Sequence, residues 1–163
     1  MKRQRPEEGP AFHGNYRGYY NYRTTTTEGA ARDPRLDLLR EDLFRGRKCL
    51  DIGCNSGVFT RLLAEHFGCR YMLGVDIDAK LVAEARRGGI TEAPGSKAAK
   101  RPAGGELAAL LSDSNAFFRR EDFVQDEHPD KDYDTITCFS VSKWIHLNHG
   151  DDGLTAFFRK VRF

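Results

Sequence analysis

The stretch LDIGCNSG, residues 50–57, decides the fold that we predict for this chain. A short apolar run leads into it at residues 48–52, and residues 57–67 then place apolar side chains at helical spacing. Glycines at such a corner let the backbone turn tightly and approach a ligand, while the start of the helix offers free N–H groups. The stretch therefore predicts a buried strand, a glycine-rich turn and a helix, with room for a ligand at the turn.

Strands and helices continue to alternate beyond this turn. Gly68 is placed to end the first helix as a C-terminal cap residue would. The predicted elements are helices at residues 37–44, 57–67, 79–87, 107–111 and 152–163, and strands at residues 48–52, 71–75, 116–118 and 133–139. Strands and helices joined in this order by short turns are typical of a parallel, doubly wound α/β sheet.

Composition divides the chain into three parts. Residues 1–34 are polar and aromatic and fit neither a helical nor a strand period, so we expect an arm ordered by packing on the rest. Residues 35–163 carry the α/β pattern and form the predicted domain. Within it, residues 88–105 hold Gly, Pro, Ala and Lys with little to bury, which indicates a flexible surface insertion.

Charge, length and cysteine spacing exclude several classes of protein. The 163 residues include 26 Lys and Arg against 24 Asp and Glu, a net charge of +2, and the length suits one domain. No apolar run approaches the roughly 20 residues of a membrane span, and the charged start MKRQRPEEGP is unlike a secretory signal. The cysteines lack the spacing of a zinc site, so we expect reduced core residues of an intracellular protein and no metal. They are Cys49, Cys54, Cys69 and Cys138.

Two carboxylates beside the glycine-rich turn indicate the ligand. A dinucleotide fingerprint would require glycines where Asn55 and Ser56 stand, and Asp51 would repel a pyrophosphate. The same aspartate suits S-adenosylmethionine, which carries a sulfonium and an ammonium. Asp76, at the end of the next predicted strand, could accept both hydroxyls of a ribose. These residues favour S-adenosylmethionine over NAD; an ordinary strand–turn–helix corner without a ligand is the alternative.

Two further segments are rich in side chains that suit an anionic partner. Residues 140–153, SVSKWIHLNHGDDG, follow the last predicted strand, and we expect them to form a loop at the ligand-binding edge of the sheet. Lys143 in this loop is a cation that could face an anionic substrate, whereas Trp144 could equally be a core anchor. Residues 14–23, GNYRGYYNYR, interleave Tyr with Arg, as single-stranded nucleic acid surfaces do; Tyr rings packed on the fold are the alternative.

Four segments in this order resemble the Bin3-type RNA methyltransferases, the family of the 7SK snRNA methylphosphate capping enzyme. They are GNYRGYYNYR at residues 14–23, RGRKCLDIGCNSG at 45–57, GVDID at 74–78 and SKWIHLNHGDDG at 142–153. The resemblance spans residues 12–158 apart from the insertion. It implies a Rossmann-like class I S-adenosylmethionine-dependent methyltransferase fold and methyl transfer to the 5′ γ-phosphate of a small RNA. It also implies an intracellular, nuclear enzyme without a membrane partner, which we expect to be a monomer.

The resemblance also assigns roles by position. The predicted catalytic residues, which would hold the 5′ phosphate, are Lys143, Tyr19 and Arg23. The predicted cofactor-binding residues are Tyr20, Arg35, Asp51, Gly53, Cys54, Asn55, Gly57, Asp76, Ile77, Glu121, Asp122 and Phe139. The pair Glu121-Asp122 departs from the Asn-containing pair that is usual in the family.

Three functions stay open at this point. The first is an active RNA 5′-phosphate methyltransferase, the second an RNA-binding, methyltransferase-like module without turnover, and the third a methyltransferase of a small molecule or protein. The Tyr and Arg arm argues against the third. The family pattern continues for three further strands, so the resemblance predicts a sheet of order 3-2-1-4 that is truncated after its fourth strand. A chain complete as given would then be marginally stable or inactive.

Overall fold

A computed structural model describes residue 14 and residues 25–27, 30–87 and 115–161, with the backbone alone described for residues 25–27 and 30–32. The strands are β1 (Thr25–Thr27), β2 (Ala30–Arg32), β3 (Lys48–Ile52), β4 (Tyr71–Asp76), β5 (Ala116–Arg120) and β6 (Thr135–Thr137). The α-helices are α1 (Val58–Phe67), α2 (Ala79–Arg86) and α3 (Ser142–Val161).

Four of these strands form one parallel sheet in the order β5-β4-β3-β6. Leu50 at the centre of β3 lies opposite Leu73 of β4 on one side and Ile136 of β6 on the other. Counted from β3 as the first strand, the order is 3-2-1-4, so the Rossmann-like α/β prediction is confirmed. Because all four strands run in parallel, their carboxyl ends share one edge of the sheet, and residues that follow β3, β4 and β5 meet there.

The sheet is covered on both faces because successive side chains of a strand point to opposite sides. Cys49 and Met72 belong to one core cluster, together with Phe59 and Leu63 of α1. The next residues along the strands, Leu50 and Leu73, belong to a second core cluster that includes residues of α3. The members from α3 are Ile145 and Phe157. Burial on both faces explains why β3 is a nearly continuous apolar run rather than an alternating one.

The helices after β3 and β4 begin and end where the sequence predicts. α1 ends at Gly68, which takes the left-handed conformation with φ 65° and donates its N–H to the carbonyl of Ala64. α2 begins at Asp78, whose side chain accepts the N–H groups of Lys80 and Leu81.

Two predicted elements differ from the structure, and one pair of strands is present that was not predicted. Residues 37–44 are not one helix but two 3₁₀ helices, Pro34–Leu38 and Glu41–Leu43, because the two residues between them, Leu39 and Arg40, are extended. The last strand is shorter than predicted and comprises only β6. The arm, for which no strand was predicted, contains the antiparallel pair β1 and β2, with Thr25 opposite Arg32.

The loop prediction for residues 140–153 is wrong, because α3 begins at Ser142. The helix is interrupted at Gly150, whose φ of 62° and ψ of −160° are not helical. Because of this glycine and the polar residues before it, apolar periodicity does not predict the first half of the helix. The predicted insertion at 88–105 and helix at 107–111 lie outside the described residues.

All four cysteines are free, as predicted: three are buried and Cys138 is half-buried. Within the part of the chain that the structure describes, no helix combines the length and apolar character needed to cross a bilayer.

Candidate active site

A cleft of about 190 Å³ lies at the carboxyl edge of the sheet. One side comprises Asp51, Gly53, Asn55 and Asp76, which we call the acidic wall. The first half of α3 contributes Lys143, Trp144, Asn148 and His149, which we call the helical wall. The cleft thus brings the carboxylates of Asp51 and Asp76 into one site with Lys143, which lies 67 residues or more further along the chain.

Asp51 is a buried carboxylate held by two hydroxyl groups. Its Oδ2 accepts a hydrogen bond from Thr60 Oγ1 at 2.6 Å, and its Oδ1 accepts one from Thr137 Oγ1 at 2.8 Å. Burial raises the pKa of Asp51 to about 6, against the opposing effect of these hydroxyls and of the positive charge of Arg35. A cationic ligand in the cleft would stabilise the ionised form of this group.

The glycine-rich turn is fixed by hydrogen bonds to β4. The N–H groups of Gly53 and Cys54 both donate to the carbonyl of Val75, at 2.8 and 3.0 Å. Gly53 has φ 77°, and a Cβ at this position would lie 2.1 Å from Cγ2 of Val141. The turn therefore requires glycine both for its conformation and for the approach of the residue that precedes α3.

Asp76 joins the glycine-rich turn to the start of α2. Its Oδ2 accepts the N–H of Asn55 at 2.8 Å, and its Oδ1 accepts the N–H of Asp78 at 2.9 Å. A carboxylate oxygen can accept more than one hydrogen bond, so both oxygens can also accept from hydroxyl groups of a ligand. The backbone thereby fixes the orientation of this carboxylate before any ligand binds.

Arg35 lies on the cleft through an ion pair that the sequence analysis missed. Its guanidinium donates to both carboxylate oxygens of Asp33, at 2.9 and 2.6 Å, and Asp33 is buried. The same guanidinium stacks 3.7 Å from the centre of the Phe59 ring and 5.7 Å from that of Phe139. The Asp-x-Arg spacing was the available signal for the ion pair, whereas the contact with Phe59 depends on where α1 packs.

Glu121 and Asp122 follow β5 and line the cleft, but their carboxylates differ in surroundings. Glu121 is buried, with Oε2 accepting from Arg119 Nε at 3.0 Å and Oε1 bonded to His128 Nδ1 at 2.7 Å. His128 in turn lies 3.2 Å from the hydroxyl of Tyr133. The Oδ1 atom of Asp122 accepts the N–H groups of the following turn. The Glu121 carboxylate thus already has two charged or polar partners.

The helical wall is more exposed. The Nζ of Lys143 lies 5.0 Å from the centre of the Trp144 ring, and Asn148 donates its side-chain N–H to the carbonyl of Trp144 at 2.8 Å. Gly14, which also lines the cleft, packs so closely on Trp144 that a Cβ there would lie 2.1 Å from its Nε1. Gly14, the first residue of the Tyr- and Arg-rich segment 14–23, therefore contacts the helix that carries Lys143.

The structure places most of the predicted site residues around this cleft. Those that line it are Arg35, Asp51, Gly53, Asn55, Asp76, Ile77, Glu121, Asp122, Phe139 and Lys143. Cys54 and Gly57 do not: Cys54 belongs to the core, and a Cβ on Gly57 would meet Phe118 at 2.6 Å. Both were predicted from their place in the glycine-rich turn, but Gly57 packs against β5 and α2, and Cys54 packs in the core near Gly74 of β4. Tyr19, Tyr20 and Arg23 lie outside the described residues.

Comparison with known proteins yields one family and several relatives. The family described as Bicoid-interacting protein 3 (Bin3) matches residues 133–163. A probable RNA methyltransferase of Arabidopsis thaliana is 39% identical over 91% of this chain and 55% of its own length. The U6 snRNA methylphosphate capping enzyme Amus of Drosophila melanogaster is 35% identical over 91% of this chain and 48% of its own length.

The 7SK snRNA methylphosphate capping enzyme of Homo sapiens is 31% identical over 91% of this chain and 27% of its own length. The chain therefore spans about half the length of the plant and insect relatives, and less of the human one.

Proposed function

Because this chain is similar over 91% of its length to RNA methyltransferases and snRNA methylphosphate capping enzymes, we propose that it transfers a methyl group from S-adenosylmethionine to the 5′ γ-phosphate of a small RNA. The observation that carries this proposal is that one cleft is lined both by the carboxylates of Asp51 and Asp76 and by the cation of Lys143. A cationic methyl donor suits the acidic wall, and an anionic acceptor suits the helical wall. The similarity to enzymes named for snRNA substrates supports a nuclear place of action.

The acidic wall fits the methyl donor at both ends. Asp51 supplies a buried negative charge for a cation, and Asp76 supplies two acceptor oxygens for the ribose hydroxyls. Ile77, Val124 and Phe139 add apolar surface to the same cleft, as an adenine ring requires. When bound there, S-adenosylmethionine supplies an electrophilic methyl group.

The helical wall fits the methyl acceptor. A terminal phosphate has its second pKa near ~6, so it is already a dianionic nucleophile at neutral pH. The chain therefore needs no general base for this reaction, and the task of its residues is to hold the phosphate in line with the donor. Lys143 supplies the positive charge for that purpose, and Tyr19 and Arg23 of the arm are proposed to act with it.

The test is transfer of labelled methyl from S-adenosylmethionine to one RNA sequence prepared with a 5′ triphosphate, a 5′ monophosphate or a 5′ hydroxyl. We expect labelling of the triphosphate RNA, loss of label after removal of the γ-phosphate, and no labelling of the hydroxyl RNA. Equal labelling of all three would contradict the phosphate assignment. Labelling of the monophosphate RNA alone would keep the enzyme class and change the acceptor to the α-phosphate.

The matched variants are Lys143→Ala and Lys80→Ala. Lys80 is exposed on α2 and does not line the cleft, so its removal controls for the loss of one positive charge. We expect at least a tenfold fall in transfer for Lys143→Ala, since a hydrogen bond to a charged group is worth about 1.5–3 kcal/mol. Binding of S-adenosylmethionine and RNA without transfer would instead favour the alternative function, an RNA-binding, methyltransferase-like module.

A further inference from the structure

The helical wall carries a histidine that the proposed function does not use. His149 is half-buried and lines the cleft together with Lys143. His146, three residues earlier on α3, has a side chain that is 54% exposed and bonds to Asp151 at 2.9 Å. Two histidines of the same helix thus have different surroundings, one the cleft and the other an exposed ion pair.

The fold holds His149 in place through the interruption of α3. Gly150 leaves the helical conformation directly after it, and the chain returns so that Gly153 packs against the histidine. A Cβ at position 153 would lie 2.1 Å from the Cβ of His149. One helical turn before His149, Ile145 is buried in the core, so this face of the helix is directed inward. The base of the His149 side chain is therefore packed against Gly153, and the residue lines the cleft.

The imidazole nitrogens of His149 are also available for hydrogen bonds to a ligand. Among the residues that the structure describes, the ring has no hydrogen-bond partner, whereas His128 is bonded to Glu121 and His146 to Asp151. A neutral imidazole carries one N–H donor and one acceptor, and a half-buried polar group of this kind is normally satisfied by a partner. The structure accordingly leaves a donor on the same wall as Lys143.

We propose that His149 binds the 5′ end of the RNA by donating its imidazole N–H to an oxygen of the terminal phosphate, in the cleft that Lys143 also lines. This assignment rests on the proposed function, because it takes the 5′-phosphate RNA as the ligand of the helical wall. Phosphate is favoured over the cofactor because Asp51 and Asp76 in the same cleft already suit the cationic donor. An N–H donor that lines one cleft with a lysine suits an anion with several acceptor oxygens.

The experiment measures the dissociation constant of the full chain for one RNA with a 5′ triphosphate and with a 5′ hydroxyl, in the presence of S-adenosylhomocysteine. The dissociation constant for the hydroxyl RNA divided by that for the triphosphate RNA gives a ratio that reports phosphate recognition alone. The key variant is His149→Phe, which keeps a planar ring for packing or stacking and removes the donor. His149→Gln keeps a donor, and His146→Phe is the matched control on the same helix.

We expect His149→Phe to lower the ratio about tenfold, the effect of losing one hydrogen bond to a charged group. We expect His149→Gln to stay within about threefold of the wild type and His146→Phe to leave the ratio unchanged. S-adenosylhomocysteine affinity, measured by calorimetry, should not change in any of them, which shows that each variant is folded. If His149→Phe does not fold, His149→Asn and His149→Ala supply the same comparison of donor present and donor absent.

Two results would overturn the inference. An unchanged ratio in His149→Phe would show that the ring acts by packing or base stacking. An equal decrease of the ratio in His149→Gln and His149→Phe would show that the shape of the imidazole, and not its N–H donor, is required. Both leave the proposed function intact. A wild-type chain that binds the two RNAs equally would overturn the proposed function together with this inference, so the two failures are distinguishable.

Discussion

The charged and polar side chains of the two walls of the cleft differ in how many hydrogen bonds they make within the chain. In the acidic wall, each carboxylate oxygen of Asp51 and Asp76 already accepts a hydrogen bond from this chain. In the helical wall, Lys143 is exposed and the ring of His149 has no partner among the described residues. The carboxylates of the first wall are therefore preorganised by the fold, whereas Lys143 and His149 of the second wall are held less tightly, and we propose that a ligand supplies their partners. Changes to the acidic wall should alter stability and cofactor affinity together, and changes to the helical wall should alter ligand recognition alone.

The largest effect is expected for Asp76→Ala. The change removes the acceptor of two backbone N–H groups and, under the proposed function, of two ribose hydroxyls. We expect S-adenosylmethionine affinity to fall about 100-fold or more, because each hydrogen bond to a carboxylate is worth about 1.5–3 kcal/mol. Calorimetric titration measures it, with Asp42→Ala, which removes an exposed carboxylate outside the cleft, as the control. A change below fivefold would show that the preorganised carboxylate is not the ribose site.

The next effect concerns pH and Asp51. Burial raises the pKa of Asp51 from 3.8 to about 6, so the folded chain holds this proton more tightly than the unfolded chain. This contribution to stability is fully present below pH 3.8 and is lost as the pH rises through about 6, by about 3 kcal/mol in total. Cofactor affinity should change in the opposite sense, rising as the carboxylate ionises.

The variant that separates these two effects is Asp51→Asn. The free energy of unfolding of the wild type should decrease as the pH rises from about 4 to 8. That of Asp51→Asn, measured with denaturant over the same range, should not show this decrease. Its affinity for S-adenosylmethionine should be weaker than that of the wild type at neutral pH and independent of pH. Wild-type affinity that stays constant across the same window would show that the ionised carboxylate does not attract the cofactor.

A smaller effect is expected for Glu121→Gln, which tests a residue at the edge of the acidic wall. The carboxylate of Glu121 bonds to Arg119 and His128, so its loss should lower the free energy of unfolding by about 1–3 kcal/mol. Cofactor affinity should change by less than about threefold, because the Glu121 carboxylate is buried against Arg119 and His128, whereas that of Asp76 is only half-buried. Asp122→Ala is the comparison. An equal loss of cofactor affinity in both variants would show that the Glu121 carboxylate contacts the cofactor directly.

The smallest effect is expected for Asp151→Ala on the solvent side of α3. Its pairing with His146 is exposed, and exposed ion pairs contribute about 1 kcal/mol or less. We expect a change in the free energy of unfolding below that value and unchanged methyl transfer. A larger loss would indicate that this pair, rather than Gly150 and Gly153, supports the shape of the helical wall.

Much of the fold could be predicted because its signals are local. The apolar run of β3, the helical spacing of α1, the cap at Gly68 and the aspartate that opens α2 each act within a few residues. Parallel strands then bring their carboxyl ends together, which is why Asp51 and Asp76 could be expected in one site. The same reasoning found the second half of α3 from residue 152 but missed the first half, because Gly150 interrupts the helix and polar residues mask the periodicity before it.

Local patterns along this chain therefore specify the parallel α/β sheet, the glycine-rich turn and the two acidic side chains beside it. Only the packing of distant segments sets what each side chain contacts. It buries Asp51 against Thr60 and Thr137, bonds Glu121 to Arg119 and His128, and turns Cys54 into the core. The physical reason is that conformational preferences depend on neighbours in sequence, whereas burial, ionisation and hydrogen-bond partners depend on neighbours in space.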